Sequence, residues 1–247
     1  MNADLSSIGL WAERNSLALN VDKTNAMLLH LNRRDCVSPN LVLGGQCLPI
    51  RPCARNLGLV FDSGFRWDRH ISGVCARIYA TLRSIRPLTC GLPVRVKLGL
   101  CKSLVLPHLT YCDAIYGCAI RERLRPLRRA VNSVLRFVYG ISMGDPVSHL
   151  QSSLLGTSFD RFYDYRALLF VHSVLFGRVP AYLSGSLESG RSLRTAGLGA
   201  PFARTESYRR SIFVRGVVLW NSFPPTVRNI RSGALFKKEC LLFLNGS

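Results

Sequence analysis

Carboxylates are the first residues to test for chemistry, because metal-assisted phosphoryl transfer uses them in close pairs. The chain has fourteen Asp and Glu residues, scattered, and no adjacent Asp-Asp. Asp160 and Asp164 lie one helical turn apart beside Arg161 and Arg166, the spacing of surface salt-bridge partners rather than of a catalytic dyad. A Ser/His/Asp arrangement lacks the strand-to-helix nucleophile elbow that would support it. Cys47-x5-Cys53 and His108-x3-Cys112-x5-Cys118 come nearest to metal spacing, but zinc sites usually pair ligands at two to four residues. The nine cysteines read as reduced thiols packed as small hydrophobes, and His70 and His108 as ordinary core or surface histidines.

The positive residues make the stronger pattern. Lys and Arg number 33 against 14 acids, a net charge of +19 with a pI near 10.3. Such an excess repels itself unless a polyanion is near. Most of it is arginine, which grips phosphate bidentately where lysine is a point charge. Arg121, Arg123, Arg125, Arg128, Arg129 and Arg136 accompany the apolar positions Leu124, Leu127, Val131 and Val134. At helical spacing Arg121, Arg125, Arg128 and Arg129 fall on or near one polar side, opposed only by Glu122. That is a surface for phosphate-backbone contact, and Arg77 and Arg83 on the preceding helix extend it.

These residues need elements to hold them. Leu5, Ile8, Trp11 and Ala12 predict a helix over 3–17, and Asn25–Leu31 a strand. NLVLGGQCLPI (residues 40–50) predicts a hairpin around Gly44-Gly45, and NLGLVFD (56–62) a further strand. Ile71, Val74, Ile78, Leu82 and Ile85 predict a helix over 68–86. Further helices are predicted at 93–106, opened by Pro93 and closed before Pro107, at 109–117, at 122–139 with Gly140 as terminator, at 147–155 and at 159–176. Residues 184–208, rich in Ser, Gly and Arg, read as an exposed loop. An apolar segment at 211–225 and a short helix at 234–244 close the chain. The longest apolar stretches fall well short of the ~20 residues of a membrane span. The opening residues lack the apolar core of a secretory signal. An intracellular protein with no membrane partner is expected.

Four blocks of the sequence resemble one family. Trp11, Asn15, Leu17, Leu19, Asn20, Lys23 and Thr24, within IGLWAERNSLALNVDKT, are similar to the helix and turn that lead into palm motif D of reverse transcriptases from non-LTR retrotransposons of the LINE or jockey kind. RNLGLVFDSGFRWDRHI resembles the strand that follows in that family, with Leu57, Gly58, Asp62, Trp67, His70 and Ile71 matching and Asn56 in place of the usual Tyr. VKLGLCKSLVLPHLTYCDAIYG resembles the thumb, and FVRGVVLWNSFPPTVRNIRSGALFKKECLLFL the C-terminal ending, with Phe223 where Leu is usual.

The resemblance implies an α+β chain, mainly helical: a small antiparallel β piece from the end of a polymerase palm (1–65), a helical thumb-like region (66–140) and a helical C-terminal region (141–247). It implies that Lys23 occupies the motif D lysine position and that Leu57 and Gly58 belong to a primer-grip-like strand. The paired aspartates of the family's YADD box would lie upstream of the opening helix. No catalytic residue and no cofactor are therefore expected in this chain, Mg2+ being implied only for the complete family enzyme. The expected partner is nucleic acid, an RNA–DNA hybrid or DNA, together with the missing palm and fingers portion. The expected function is that of the C-terminal fragment of an RNA-directed DNA polymerase, limited to nucleic-acid binding, with a non-functional retroelement remnant or a polymerase subunit completed by another chain as the alternatives.

Overall fold

The computed structural model describes residues 1–29, 39–188 and 197–246. It divides into two compact units, Met1–His70 and Ile71–Ser247.

In the first unit, α1 (Asn2–Arg14) forms where the apolar spacing predicts a helix. Of its apolar stripe, however, only Ala12 is buried, while Trp11 stays 60% exposed. The Asn2 side-chain amide ties the helix to the next element: it donates to the Asn40 carbonyl (3.0 Å) and accepts from the Val42 N–H (3.2 Å). Strands β1 (Val42–Leu43) and β2 (Gln46–Cys47) pair antiparallel across Gly44-Gly45, as expected. Both glycines have positive φ, which gives the turn the twist a hairpin needs.

Two expectations are corrected here. Asn56–Asp62 is not one strand: β3 (Cys53–Asn56) and β4 (Leu59–Asp62) form a second antiparallel hairpin. Leu57 and Gly58 are its two-residue turn, at φ +45° and +83°. Apolar periodicity could not reveal this, because a leucine in a left-handed turn position is rare. Asn25–Leu31 is not a continuous strand either. Its described residues form one parallel bridge, Ala26 with Ile50, and residues 30–31 lie outside the described residues.

After β4 the chain bends sharply around one carboxylate. Asp62 Oδ1 accepts from the N–H groups of Gly64 (3.1 Å) and Arg66 (2.9 Å), and Oδ2 accepts from that of Trp67 (2.8 Å). This holds Phe65 and Trp67 at positive φ and turns the Trp67 ring into the unit, where it packs on Phe61 and His70. His70 Nδ1 accepts from the Val60 N–H at 3.4 Å.

The second unit is helical. It contains the run of α2 (Asp68–Ile85) beyond His70, then α3 (Val94–Leu104), α4 (Leu106–Thr110), α5 (Asp113–Tyr116), α6 (Arg121–Tyr139), α7 (Gln151–Leu155), α8 (Phe159–Leu175), α9 (Ala181–Glu188), α10 (Glu206–Arg209), α11 (Ile212–Ser222), α12 (Pro225–Arg228) and α13 (Gly233–Gly246). The predicted stripe of α2, from Ile71 to Ile85, is buried. The helix expected at 109–117 is instead two short helices. Pro107 sits in the first turn of α4, where its missing N–H costs nothing. Cys112 then breaks the run at φ +54°.

Helix α8 is the hub: α5, α11 and α13 all pack against it. Leu168, Val171, Val217, Trp220, Phe236 and Cys240 form the centre of this core. The approach of α8 and α11 is close enough that a Cβ on Gly216 would stand 2.8 Å from Val171 Cγ2. The region expected as a loop over 184–208 is partly structured. α9 covers its beginning and α10 its end, and Leu198 is buried with the Asn221 amide bonding both its N–H (2.8 Å) and its carbonyl (2.7 Å). Residues 189–196 lie outside the described residues. No described helix is long and apolar enough to cross a membrane.

Candidate nucleic-acid interface

Helix α6 is built as its sequence predicts. Leu124, Leu127, Ala130, Val131, Val134, Leu135 and Val138 bury one face, and Gly140 ends the helix in the left-handed conformation. Burial of this face carries the helix through Pro126, which removes one backbone donor from its interior. At 100° per residue, Arg121, Arg125, Arg128 and Arg129 span an arc of about 100° on the other side. Arg121, Arg125 and Arg129 are exposed. Arg128 is half-buried: its guanidinium pairs with Asp160 and lies 5.5 Å from the centre of the Phe159 ring. Arg136 is also engaged, donating to the carbonyls of Ser142 (3.2 Å) and Asp145 (2.9 Å). The free part of the stripe is therefore Arg121, Arg125 and Arg129.

Gln151 sets the position of α8 against this helix. Its buried amide donates to Asn132 Oδ1 on α6 (3.0 Å) and accepts from the N–H of Phe159, the first residue of α8 (2.8 Å). That bridge places Asp160 within reach of Arg128. The acids of α8 do not pair with their own helical neighbours, as their spacing suggests. Asp160 pairs with Arg128, Asp164 with Arg215 of α11, and Arg166 reaches back to Asp113 of α5 at 2.5 Å. Burial raises the carboxyls of Asp113 and Asp164 above the usual carboxylate range, and the facing arginines oppose that shift. They tie helices together: Asp113 joins α5 to α8, and Asp164 joins α8 to α11.

The remaining sequence candidates are dispersed. Arg77 and Arg83 are exposed on α2, but six residues place them about 120° apart around the helix, so they do not form one stripe. The charge of Arg77 acts instead on His108 and Tyr116. His108 Nε2 lies 3.2 Å from the Thr81 hydroxyl, and burial lowers its pKa. Trp220 packs in the core.

In the first unit, Lys23 is an exposed turn residue whose N–H donates to Asn20 Oδ1 (2.9 Å) while the Thr24 hydroxyl donates to the Asn20 carbonyl (2.8 Å). Leu57, 83% exposed, and Gly58 form the tip of the β3–β4 hairpin. Among the described residues no three His, Cys, Asp or Glu side chains converge on one point. Burial raises the thiols of Cys101 and Cys240 to about 11 and about 12, the behaviour of packed hydrophobes.

Two features were not read from the sequence. Residues 140–144, GISMG, have the spacing of a hydrolase nucleophile elbow. They follow a helix rather than a strand, however, and no helix begins at Gly144, so the scaffold for that chemistry is missing. The second is a cavity of about 310 Å³ between the start of α6, the start of α8 and the α10–α11 junction. Its lining includes Arg121, Glu122, Arg128, Asp160, Arg210 and Arg215. Arg210 and Arg215 stand more than seventy positions beyond the end of α6 in the chain, a juxtaposition no local pattern signals. Comparison with family models, curated proteins and solved structures finds no match for this chain.

Proposed function

We propose that this chain is the C-terminal part of a non-LTR retrotransposon reverse transcriptase and that it works by gripping the phosphate backbone of a nucleic-acid duplex. The observation that carries the reading is the exposed arginine stripe of α6, Arg121, Arg125 and Arg129, on a chain of net charge +19. Guanidinium groups spaced along one helix face meet successive phosphates and leave the base edges unread. The expected mode is therefore sequence-tolerant binding, to an RNA–DNA hybrid or to DNA, driven by counterion release.

The test is fluorescence anisotropy of a labelled RNA–DNA hybrid against the wild-type chain and an Arg125→Ala/Arg129→Ala variant. Both side chains are exposed, so the variant keeps its fold. Its affinity should fall on the order of tenfold at physiological salt. Equal affinities for the two proteins would remove α6 from the interface.

A second reading, a polymerase subunit completed by another chain, is supported by the exposure of Ile8, Leu10 and Trp11 on α1. Apolar surface of this kind is what a partner covers. Co-purification of the chain with a polymerase palm, lost on Trp11→Glu, is the expected result for that reading.

A further inference from the structure

The cavity between α6, α8 and α10–α11 shares Arg121 with the exposed stripe and gathers four guanidinium groups, Arg121, Arg128, Arg210 and Arg215, from two separate stretches of chain. Two carboxylates, Glu122 and Asp160, share its lining. Asp164 and Glu206 stand behind Arg215 and Arg210. Each guanidinium presents five N–H donors in a planar fork, and a single facing carboxylate takes at most two of them bidentately. The donors therefore outnumber the acceptors even where the charges balance.

Two of those donors are specifically orphaned. Nε of Arg128 and Nε of Arg210 are both shielded from solvent, with no acceptor among the described residues. These two atoms are closed to solvent, so it is the remaining N–H groups of the four forks that an anion entering the cavity can reach. The mouth adds to this. Helix α6 begins at the cavity with Ile120 as its cap, which has no side-chain oxygen to occupy the first N–H groups.

We propose that this cavity binds a phosphate monoester, either the terminal phosphate of a nucleic-acid strand or that of a free nucleotide. A monoester carries about −1.5 to −2 charges and three acceptor oxygens. A backbone diester carries a single charge and has only two free oxygens, so it satisfies fewer of the arginine forks. A volume of about 310 Å³ also admits more than a bare phosphate group, at the lower end of the range for small-molecule sites. The chain-end form rests on the duplex-binding reading of α6. The free-nucleotide form does not.

The experiment compares 5′-phosphorylated and 5′-hydroxyl oligonucleotides of one sequence for affinity, and follows thermal stabilisation of the full chain by AMP and by inorganic phosphate. The proteins are wild type, Arg210→Gln and Arg125→Ala/Arg129→Ala. Arg210 pairs with an exposed glutamate, so Arg210→Gln leaves no buried charge behind. A chain-end site gives roughly tenfold tighter binding of the phosphorylated strand, a difference that AMP competes away and Arg210→Gln abolishes. The Arg125→Ala/Arg129→Ala variant weakens both strands alike. If the strand ends bind equally but AMP raises the melting temperature of wild type and not of Arg210→Gln, the ligand is the free nucleotide. Equal strand ends with no stabilisation by AMP or phosphate overturn the proposal, and retained oligonucleotide binding in that case leaves the α6 reading standing. Stabilisation by AMP with no oligonucleotide binding at all contradicts the α6 reading and supports the cavity.

Discussion

Asp62 shows how much one side chain can organise. Its carboxylate takes three backbone donors, those of Gly64, Arg66 and Trp67, and so fixes two residues in the left-handed region that only an over-determined loop sustains. Asp62→Ala leaves those amides without their acceptor; water can replace it at the exposed Gly64 and Arg66, while at the buried Trp67 the loss is about 1–3 kcal/mol. Hydrogen exchange at Gly64, Arg66 and Trp67 should then speed up by about tenfold or more, and unchanged protection would contradict this role. His172 is a second decisive residue. Its ring stacks on Phe236 at 4.2 Å and its Nε2–H donates to the Ile230 carbonyl at 2.8 Å. Burial, aided by the charge of Arg178, lowers its pKa, with the Ile230 bond opposing. The folded state thus prefers the neutral ring. The stability this contributes is present above the ordinary histidine value of about 6.5 and is lost as pH falls through it toward the lower folded value. Buried Asp113 and Asp164, whose pKa values are raised, act in the opposite sense, and His108 in the same sense as His172. The contribution of His172 is therefore read by difference. The melting temperature of wild type should fall more steeply between about pH 7 and pH 5 than that of His172→Gln, and parallel curves would contradict the assignment.

At the scale of elements, α8 meets α11 through Gly216, where a Cβ would stand 2.8 Å from Val171 Cγ2. Gly216→Ala should destabilise the second unit by about 1–3 kcal/mol. In a Val171→Ala background, which removes the opposing methyl groups, the further cost of Gly216→Ala should shrink. An unchanged cost in urea titrations would place the strain elsewhere. The long helices α2, α6 and α8 were legible in the sequence because their apolar residues recur every three or four positions over several turns. The β1–β2 hairpin was legible because Gly44-Gly45 has only one common use between short apolar runs. The second hairpin was not, since Leu57 is the wrong residue type for the left-handed position it occupies. The break at Cys112 was hidden for the same reason. Of the candidate interface, the arginines of α6 could be read from their spacing. Their division into the exposed Arg121, Arg125 and Arg129 and the engaged Arg128 could not, because it depends on Gln151 docking α8 beside α6.

For the molecule as a whole, the excess of positive charge is the property that most constrains what it does. The buried acids Asp113 and Asp164 are each consumed by an arginine tie between helices, so they help to hold the second unit together rather than shape an acidic site. The exposed arginines remain, and phosphate is the partner whose geometry and charge they match. A duplex held in this way must let go as salt rises, and each phosphate contact must leave its mark on the slope. The most direct measurement is the affinity for an RNA–DNA hybrid across a salt series, for wild type and for Arg125→Ala/Arg129→Ala. Phosphate contact through α6 gives a linear fall of log affinity with log salt, shallower in the variant by about two units, about one for each arginine removed. The same slope in both proteins, or binding indifferent to salt, would contradict it.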